Sequence, residues 1–296
     1  MLPCLLGVAR VHFLTLTLVC IALAAGMGWY QTQALDFFKL MLVLGLALAA
    51  HISVNAFNEY FDFRSGLDFL TERTPFSGGS GTLVAHPQQA ALALWAGVIS
   101  LLVVLLLGWV LVLQQGWALL WIGVPGVLII YTYTQYINRS PLLCLLAPGV
   151  GFGLLMTLGA IWVLAGSVSA GAGIVALIVM LLVSNLLLLN QFPDVEADQQ
   201  VGRCHYPIAI GRPASAVLLT LLLLMSYGLL ILGVAMDWLP PHTLLALLSL
   251  LLVWPLMRQL HTYADQPRDL VPALGMNTAL CHLYPLLLLI GLVWAA

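Results

Sequence analysis

The stretch Val43-Leu44-Gly45-Leu46-Ala47-Leu48-Ala49-Ala50-His51-Ile52-Ser53-Val54-Asn55-Ala56-Phe57 runs without a charge and then breaks into Asn58-Glu59-Tyr60-Phe61-Asp62-Phe63-Arg64-Ser65-Gly66-Leu67-Asp68. The apolar part belongs to a segment over 37–58 that is long enough to cross the hydrocarbon core of a bilayer as a helix. The polar part is dense in oxygen ligands. A second junction of this kind closes another apolar segment: Asn190-Gln191-Phe192-Pro193-Asp194-Val195-Glu196-Ala197-Asp198. Seven of the chain's 11 acidic residues lie in these two islands, counting Glu72 just beyond the first, although only 7% of residues are charged. Carboxylates at the edge of so apolar a chain are costly, so a divalent cation or a polyanionic substrate is the natural reason to keep them.

Hydrophobic residues make up 62% of the 296 positions and the mean hydropathy is +1.08. That is far above a soluble protein's share. Nine apolar spans are read, at roughly 12–30, 37–58, 89–113, 117–135, 141–165, 168–191, 213–235, 242–260 and 274–294. In lipid every backbone N–H and C=O needs an internal partner, so the spans are expected to be helices. The expected fold is all-α: a polytopic membrane bundle of nine transmembrane helices, with residues 1–296 forming one integral-membrane domain. Pro125 in span 4 and Pro255 in span 8 leave those boundaries soft. Pro148, Gly149, Gly151, Gly153 and Gly159 make span 5 a place for close helix packing or backbone approach to a ligand.

Basic residues orient the bundle. With the N-terminus cytoplasmic, Arg10, Arg64, Arg73, Arg139, Arg203, Arg212, Arg258 and Arg268 all fall inside and only Lys39 outside. Both acidic islands then share the cytoplasmic face and can build one site. The expected location is the cell's inner (plasma) membrane. The first apolar stretch has a weakly charged lead-in and eight spans after it, so it is read as a retained helix, not a cleaved signal. Five cysteines without C-x-x-C spacing indicate neither a disulfide framework nor a zinc site. A net charge of −2 with no basic run gives no sign of nucleic acid as a partner.

The islands follow spans 2 and 6, which suggests two four-helix halves and a ninth helix. Between Arg73 and Gly81 the chain is rich in turn formers and reads either as a mobile loop at the site or as an ordinary connector. Asn58 and Asp62, Asn190 and Asp194, and Asp194 and Asp198 are each spaced i, i+4, which puts each pair on one helical face about 5–6 Å apart. Pro193 either starts a new turn or kinks span 6. Mg²⁺ prefers one or two carboxylates plus phosphate oxygens and water, so two such ladders suit a metal-bound diphosphate. Charge building on a leaving diphosphate would be met by metal ions and by Arg64, Arg73, Arg139 and Arg203 on the same face. The plain alternative is that these charges solvate cytoplasmic loops. His51 is read mainly as a helix–helix hydrogen-bonding residue, and the tyrosines 131, 133 and 136 as an interfacial belt or a cation shield.

At this point the chain resembles the UbiA superfamily of intramembrane aromatic prenyltransferases, with its two aspartate-rich motifs after helices 2 and 6. Asn55-x-x-Asn58-Glu59-Tyr60-Phe61-Asp62 with Gly66 and Asp68 looks most like the 1,4-dihydroxy-2-naphthoate prenyltransferase branch of menaquinone synthesis. Asp194, Asp198, Gly202 and Arg203 match its second motif, and Gly151–Ala160 resembles its fifth helix. The chain departs from the pattern in having one lysine, Lys39, and in its 73–81 loop, so arginines must serve where that family uses lysines. The resemblance implies Mg²⁺-assisted ionisation of a polyprenyl diphosphate, then attack by an electron-rich aromatic acceptor on the allylic cation. It implies Asn58, Asp62, Asp68, Asp194 and Asp198 as metal ligands, Asp62, Asp194 and Asp198 being the catalytic core. Asn190 and Glu59 would support them, and Asn58, Asn190, Arg64, Arg73, Arg139 and Arg203 would hold the substrate. Membrane lipids surround the prenyl tail. A cation-coupled transporter is the rival from another class; it would place its acids near the bilayer midplane.

Overall fold

The computed structural model describes residues 2–296; most of them are helical and no strand occurs among them. Eight segments are long and apolar enough to span a membrane: Val11–Thr32, Phe37–Ser65, Pro87–Gln115, Pro141–Ala165, Ala170–Asn190, Arg212–Ala235, Pro241–Tyr263 and Pro267–Ala295. The expected fourth span is the shorter piece Trp117–Thr132. Its α-helix, Leu120–Thr132, carries Pro125, which has no N–H to give, and it stops in a tyrosine-rich turn. The expected count of nine is therefore reached only by including this short helix.

In chain order the helices are α1 (Leu2–Ala9), α2 (Leu14–Thr32), α3 (Phe37–Ser65), α4 (Thr82–Ala85), α5 (Ala90–Gln115), α6 (Leu120–Thr132), α7 (Pro141–Gly149), α8 (Leu158–Ala165), α9 (Ala170–Asn190), α10 (Val195–Gln200), α11 (Tyr206–Ala209), α12 (Arg212–Ala235), α13 (Leu250–Tyr263) and α14 (Val271–Ala295). A π-helical turn, Val150–Thr157, joins α7 to α8 within span 5. Span 8 begins as a 3-10 run, Pro241–Ser249, before α13.

α9 is the central pillar. It is apolar all round, and 78% of its most apolar window is buried, against 22% for the Pro87–Gln115 segment, which faces outward. α9 packs on α7, α12, α14 and the π turn, while α3 packs on α5 and α2 against α3, α8 and α14. Large side chains at the periphery, such as Trp121, Leu251 and Trp254, are exposed because their solvent is lipid.

Local chemistry sets both ends of α3. Asp36 caps its start, its side chain accepting from the Phe38 and Lys39 amides at 3.0 and 3.1 Å. Gly66, at φ +84°, ends it in the left-handed conformation that a glycine adopts without Cβ strain. Lys39 and Asp62 thus lie at opposite ends, separated by roughly 35 Å of helix. The second island is built differently. α9 ends at Asn190, Pro193 sits in the turn that follows, and Asp194 caps a new short helix, α10, with its backbone only. The i, i+4 ladder from Asn190 to Asp194 is therefore broken, while Asp194 and Asp198 remain one turn apart, joined by a 2.8 Å backbone bond.

Span 5 packs closely, as its glycines suggest. A Cβ on Gly153 would stand 2.6 Å from the Met180 amide nitrogen and 2.8 Å from its Cα. Gly149, four residues earlier, meets the Met180 carbonyl in the same way. The π turn and α9 thus touch backbone to backbone.

Candidate active site

Both islands open onto one cavity of about 590 Å³, within the usual range for a ligand pocket. Its polar mouth is lined by Arg10, Asn58, Asp62, Asp68, Asn190, Asp194, Asp198, Arg203 and His205, with Ser77, Gly78 and Gly79 at its edge. Its deeper part is hydrocarbon from α3, α5, α6 and span 5, and along α6 it reaches from Tyr133 down to Leu119, roughly 20 Å. Leu105 and Trp109 of α5 and Val124 and Leu128 of α6 line this trough and are also exposed on the outer surface. The trough therefore opens sideways toward lipid between those two helices.

The structure sorts the seven island acids by side chain. The four aspartates, Asp62, Asp68, Asp194 and Asp198, face the cavity. The three glutamates do not line it. Glu59 is fully buried in an ion pair with Arg10 at 2.7 Å and also accepts from the Ser80 amide and hydroxyl at 2.7 and 2.8 Å. Glu196 pairs with Arg212 at 2.7 Å, which holds its carboxyl below the usual range, and Glu72 pairs with the exposed Arg268 at 2.9 Å. Glu59, expected to support the metal, instead anchors the N-terminal turn and the loop.

Arginines divide in the same way. Of the nine basic residues only Arg10 and Arg203 line the cavity. Arg64 and Arg139 are exposed and outside it; Arg73 is exposed and donates to the Asp68 carbonyl at 3.2 Å. Arg203 joins the islands directly, donating to Asp62 and, at 3.0 Å, to Asp198 Oδ1. His205 Nε2 lies 3.0 Å from the other Asp198 oxygen. Arg10 sits at φ +48°, an uncommon conformation for a residue with a side chain, and this aims its guanidinium at Glu59 and at Asn58 Oδ1, 2.9 Å away. Sequence reading treated Arg10 only as an orienting charge, because its partners lie 48 and 49 residues away.

The 73–81 loop is pinned by Glu59 and by a turn in which Thr74 Oγ1 accepts from the Phe76 and Ser77 amides at 3.1 and 2.9 Å. Gly79, at φ +74°, passes so close that a Cβ there would stand 2.9 Å from Asp68 Oδ1. Only a glycine fits this edge.

No three His, Cys, Asp or Glu side chains among the described residues converge as a preformed metal cage. The donor set nevertheless fits a hard cation shared with a substrate, since Mg²⁺ keeps waters and phosphate oxygens beside one or two carboxylates. Asp68 Oδ2, Asn190 Oδ1 and Asp194 Oδ1 are buried at the mouth without a hydrogen-bond partner. Burial, together with the charges of Asp62 and Glu59, pushes Asp68 up to about 7. Burial and the neighbouring Asp198 push Asp194 up to about 7 as well. Carboxylates crowded in this way gain most from a cation that discharges them. A diphosphate entering alone would meet more carboxylates than guanidiniums.

The ion pair carries a prediction. Arg10→Ala leaves Glu59 buried against Ser80 alone and is expected to cost about 3–5 kcal/mol. Thermal unfolding of the purified protein in detergent checks this; a melting temperature within a degree of wild type would refute the anchoring role.

An aspartate-rich mouth over a lipid-open hydrocarbon trough defines an intramembrane site for a molecule with a charged head and an apolar tail. The UbiA prenyltransferase family matches residues 17–281, and the chain belongs to that family of membrane enzymes. It is 27% identical to the 1,4-dihydroxy-2-naphthoate octaprenyltransferase of Bacillus subtilis (strain 168), over 78% of this chain and 74% of that one. It is 25% identical to the 2-carboxy-1,4-naphthoquinone phytyltransferase of Synechocystis sp., over 88% and 82%. Among solved structures, a UbiA homolog from Aeropyrum pernix K1 superposes with a TM-score of 0.71 at 16% identity, covering 94% and 97% of the two chains. A UbiA homolog from Archaeoglobus fulgidus, bound to DMAPP and Mg²⁺, superposes at 0.60 and 13% identity, covering 97% and 99%.

Proposed function

We propose that this prenyltransferase moves a polyprenyl group from polyprenyl diphosphate to an aromatic quinone precursor of the 1,4-dihydroxy-2-naphthoate type, using Mg²⁺. The observation that carries the reading is the junction of the two islands at the polar end of a hydrocarbon trough. The naphthoate and naphthoquinone acceptors in the names of the two relatives support the acceptor class. The DMAPP and Mg²⁺ of the archaeal homolog support the donor and the metal.

Asp62, Asp68, Asp194 and Asp198, with Asn190, would hold Mg²⁺, which when bound neutralises charge on the diphosphate as the C–O bond breaks. Asn58, also expected as a ligand, lines the mouth with its Oδ1 already accepting from Arg10. Arg203 and Arg10 bring positive charge to the same mouth, the first linking the islands and the second approaching from the N-terminal turn. The trough takes the tail, its length beyond the cavity passing between α5 and α6 into lipid. Its apolar wall keeps water from the allylic cation until the acceptor ring attacks; the attacked ring carbon then sheds its proton, or its carboxyl group as CO2, to restore the aromatic ring. Eight arginines on the island side support a cytoplasmic mouth in the inner membrane. Acids at helix ends, away from the midplane, favour this chemistry over transport.

The test is transfer by the purified protein in lipid, with polyprenyl diphosphate, 1,4-dihydroxy-2-naphthoate and Mg²⁺, followed by mass spectrometry. A prenylated naphthoquinol and chelator-sensitive diphosphate release are expected. Cells lacking the gene should lose menaquinone; an unchanged quinone pool together with no transfer in vitro would sink the reading.

A further inference from the structure

One polar side chain in the cavity has no part in holding metal or diphosphate. His51 lies on α3 below Asn55, and a helix of 3.6 residues per turn places His51, Asn55, Asn58 and Asp62 in one column down the cavity wall. The imidazole lies about 10 Å along the axis below Asn58, where the wall has turned to hydrocarbon. It is 7% exposed and fixed from two sides. Thr17 of α2 bonds its Nδ1 at 2.7 Å, and Phe152 of the π turn meets it edge-on, ring centroids 4.9 Å apart. The other nitrogen, Nε2, has no protein partner and is not sealed in the packing, so it opens onto the cavity.

The bond to Thr17 satisfies one nitrogen only. A polar group facing a hydrocarbon cavity at membrane depth is costly unless something in the cavity meets it. The donor does not: its head lies at the aspartates above and its tail is hydrocarbon. A hydroxylated aromatic ring seated below the allylic carbon has a suitable span, since a bicyclic acceptor reaching down from the mouth brings its ring edge to the depth of His51. Phe152 lies beside this position and offers the acceptor an aromatic neighbour.

Resting on the proposed function, we infer that His51 is the acceptor-recognition residue. Its Nε2 hydrogen-bonds a ring hydroxyl of the aromatic acceptor, and Thr17 and Phe152 hold the imidazole in place.

The experiment measures steady-state transfer by the full chain in lipid for His51→Leu, His51→Gln and Thr17→Val, varying acceptor and donor separately. His51→Leu should raise the acceptor KM about tenfold, the worth of one hydrogen bond in a dry site, while the donor KM and the Mg²⁺ requirement stay put. His51→Gln, which keeps a polar amide, should recover most of the loss, and Thr17→Val should fall between. An acceptor analogue with its ring hydroxyl methylated closes a cycle: wild type should discriminate against it about tenfold and His51→Leu hardly at all. An unchanged acceptor KM in His51→Leu, an equal rise in the donor KM, or undiminished discrimination against the analogue would overturn the assignment. If wild type transfers nothing to any hydroxylated naphthalene, the proposed function fails first, and the assignment with it. If His51→Leu does not fold, Thr17→Val takes its place in the cycle: its discrimination against the analogue should fall below the wild-type value, and an undiminished value would overturn the assignment.

Discussion

Asp62→Asn and Asp194→Asn are each expected to lower transferase turnover by at least 10²-fold while the protein stays folded. The two residues come from islands more than 130 positions apart and face one cavity mouth. Replacing either carboxylate by an amide of the same shape removes a charge and leaves the packing. Stability should move the other way for Asp194. Its folded pKa is raised above the ordinary carboxylate value, so keeping it ionised near neutral pH opposes folding; the amide removes that cost. In the presence of chelator, Asp194→Asn should melt at the wild-type temperature or a few degrees above it. A second readout isolates the metal. A ligand that binds only the folded state raises its melting temperature, so Mg²⁺ with a diphosphate should stabilise wild type and do little for either variant. Asp265→Asn, an exposed acid elsewhere, serves as the control. A variant that kept full turnover and the full metal-induced shift would remove the islands from the chemistry.

How far the sequence carried this picture follows from the range of each interaction. α3 and its island were readable because length, apolar character and i, i+4 spacing are local. The capping aspartate and the terminal glycine act within a turn of their own helix. Close packing at Gly149 and Gly153 was also visible, since only a small residue lets two helical backbones meet. Pro193 left two outcomes open, and the structure takes the break, because a residue without an N–H cannot continue the ladder of α9. What local pattern could not supply was the sorting of charges. Arg10 meets Glu59 across 49 positions and Arg203 meets Asp62 across 141, distances over which spacing carries no signal. The positive-inside pattern puts eight arginines on the island side, and nothing local separates the four offered to the diphosphate, Arg64, Arg73, Arg139 and Arg203, from the rest. Tertiary placement leaves Arg64, Arg73 and Arg139 outside the cavity and brings in Arg10. The division between aspartate and glutamate was hidden for a related reason: whether a longer carboxylate reaches an arginine on a neighbouring element depends on where that element packs. The fourth span misled by composition, since its apolar run is long but Pro125 and the tyrosine turn leave a short helix.

The second large effect separates two glycines that lie two residues apart in one π turn. Helix propensity favours leucine over glycine at either position by under about 1 kcal/mol. At Gly153 that gain is overwhelmed. The new Cβ would stand 2.6 Å from the Met180 amide nitrogen and 2.8 Å from its Cα, and backbone atoms of the central pillar cannot swing aside as a side-chain tip would. The helices must part, and overpacking of this kind costs about 3 kcal/mol or more, since the strain falls on backbone. Gly153→Leu should therefore lower the melting temperature by about 5 °C or more, or fail to yield folded protein. Gly151 has no atom within 4 Å of its would-be Cβ and faces the trough. Gly151→Leu should melt within a few degrees of wild type and place its side chain where the prenyl tail runs. The expected loss is then in turnover with long-chain donors, about tenfold or more, and smaller with a short donor that does not reach that depth. Thermal unfolding paired with donor-length series on both variants decides the matter. If Gly151→Leu lost stability while Gly153→Leu kept it, span 5 would present the opposite face to α9, and the trough would have to lie elsewhere.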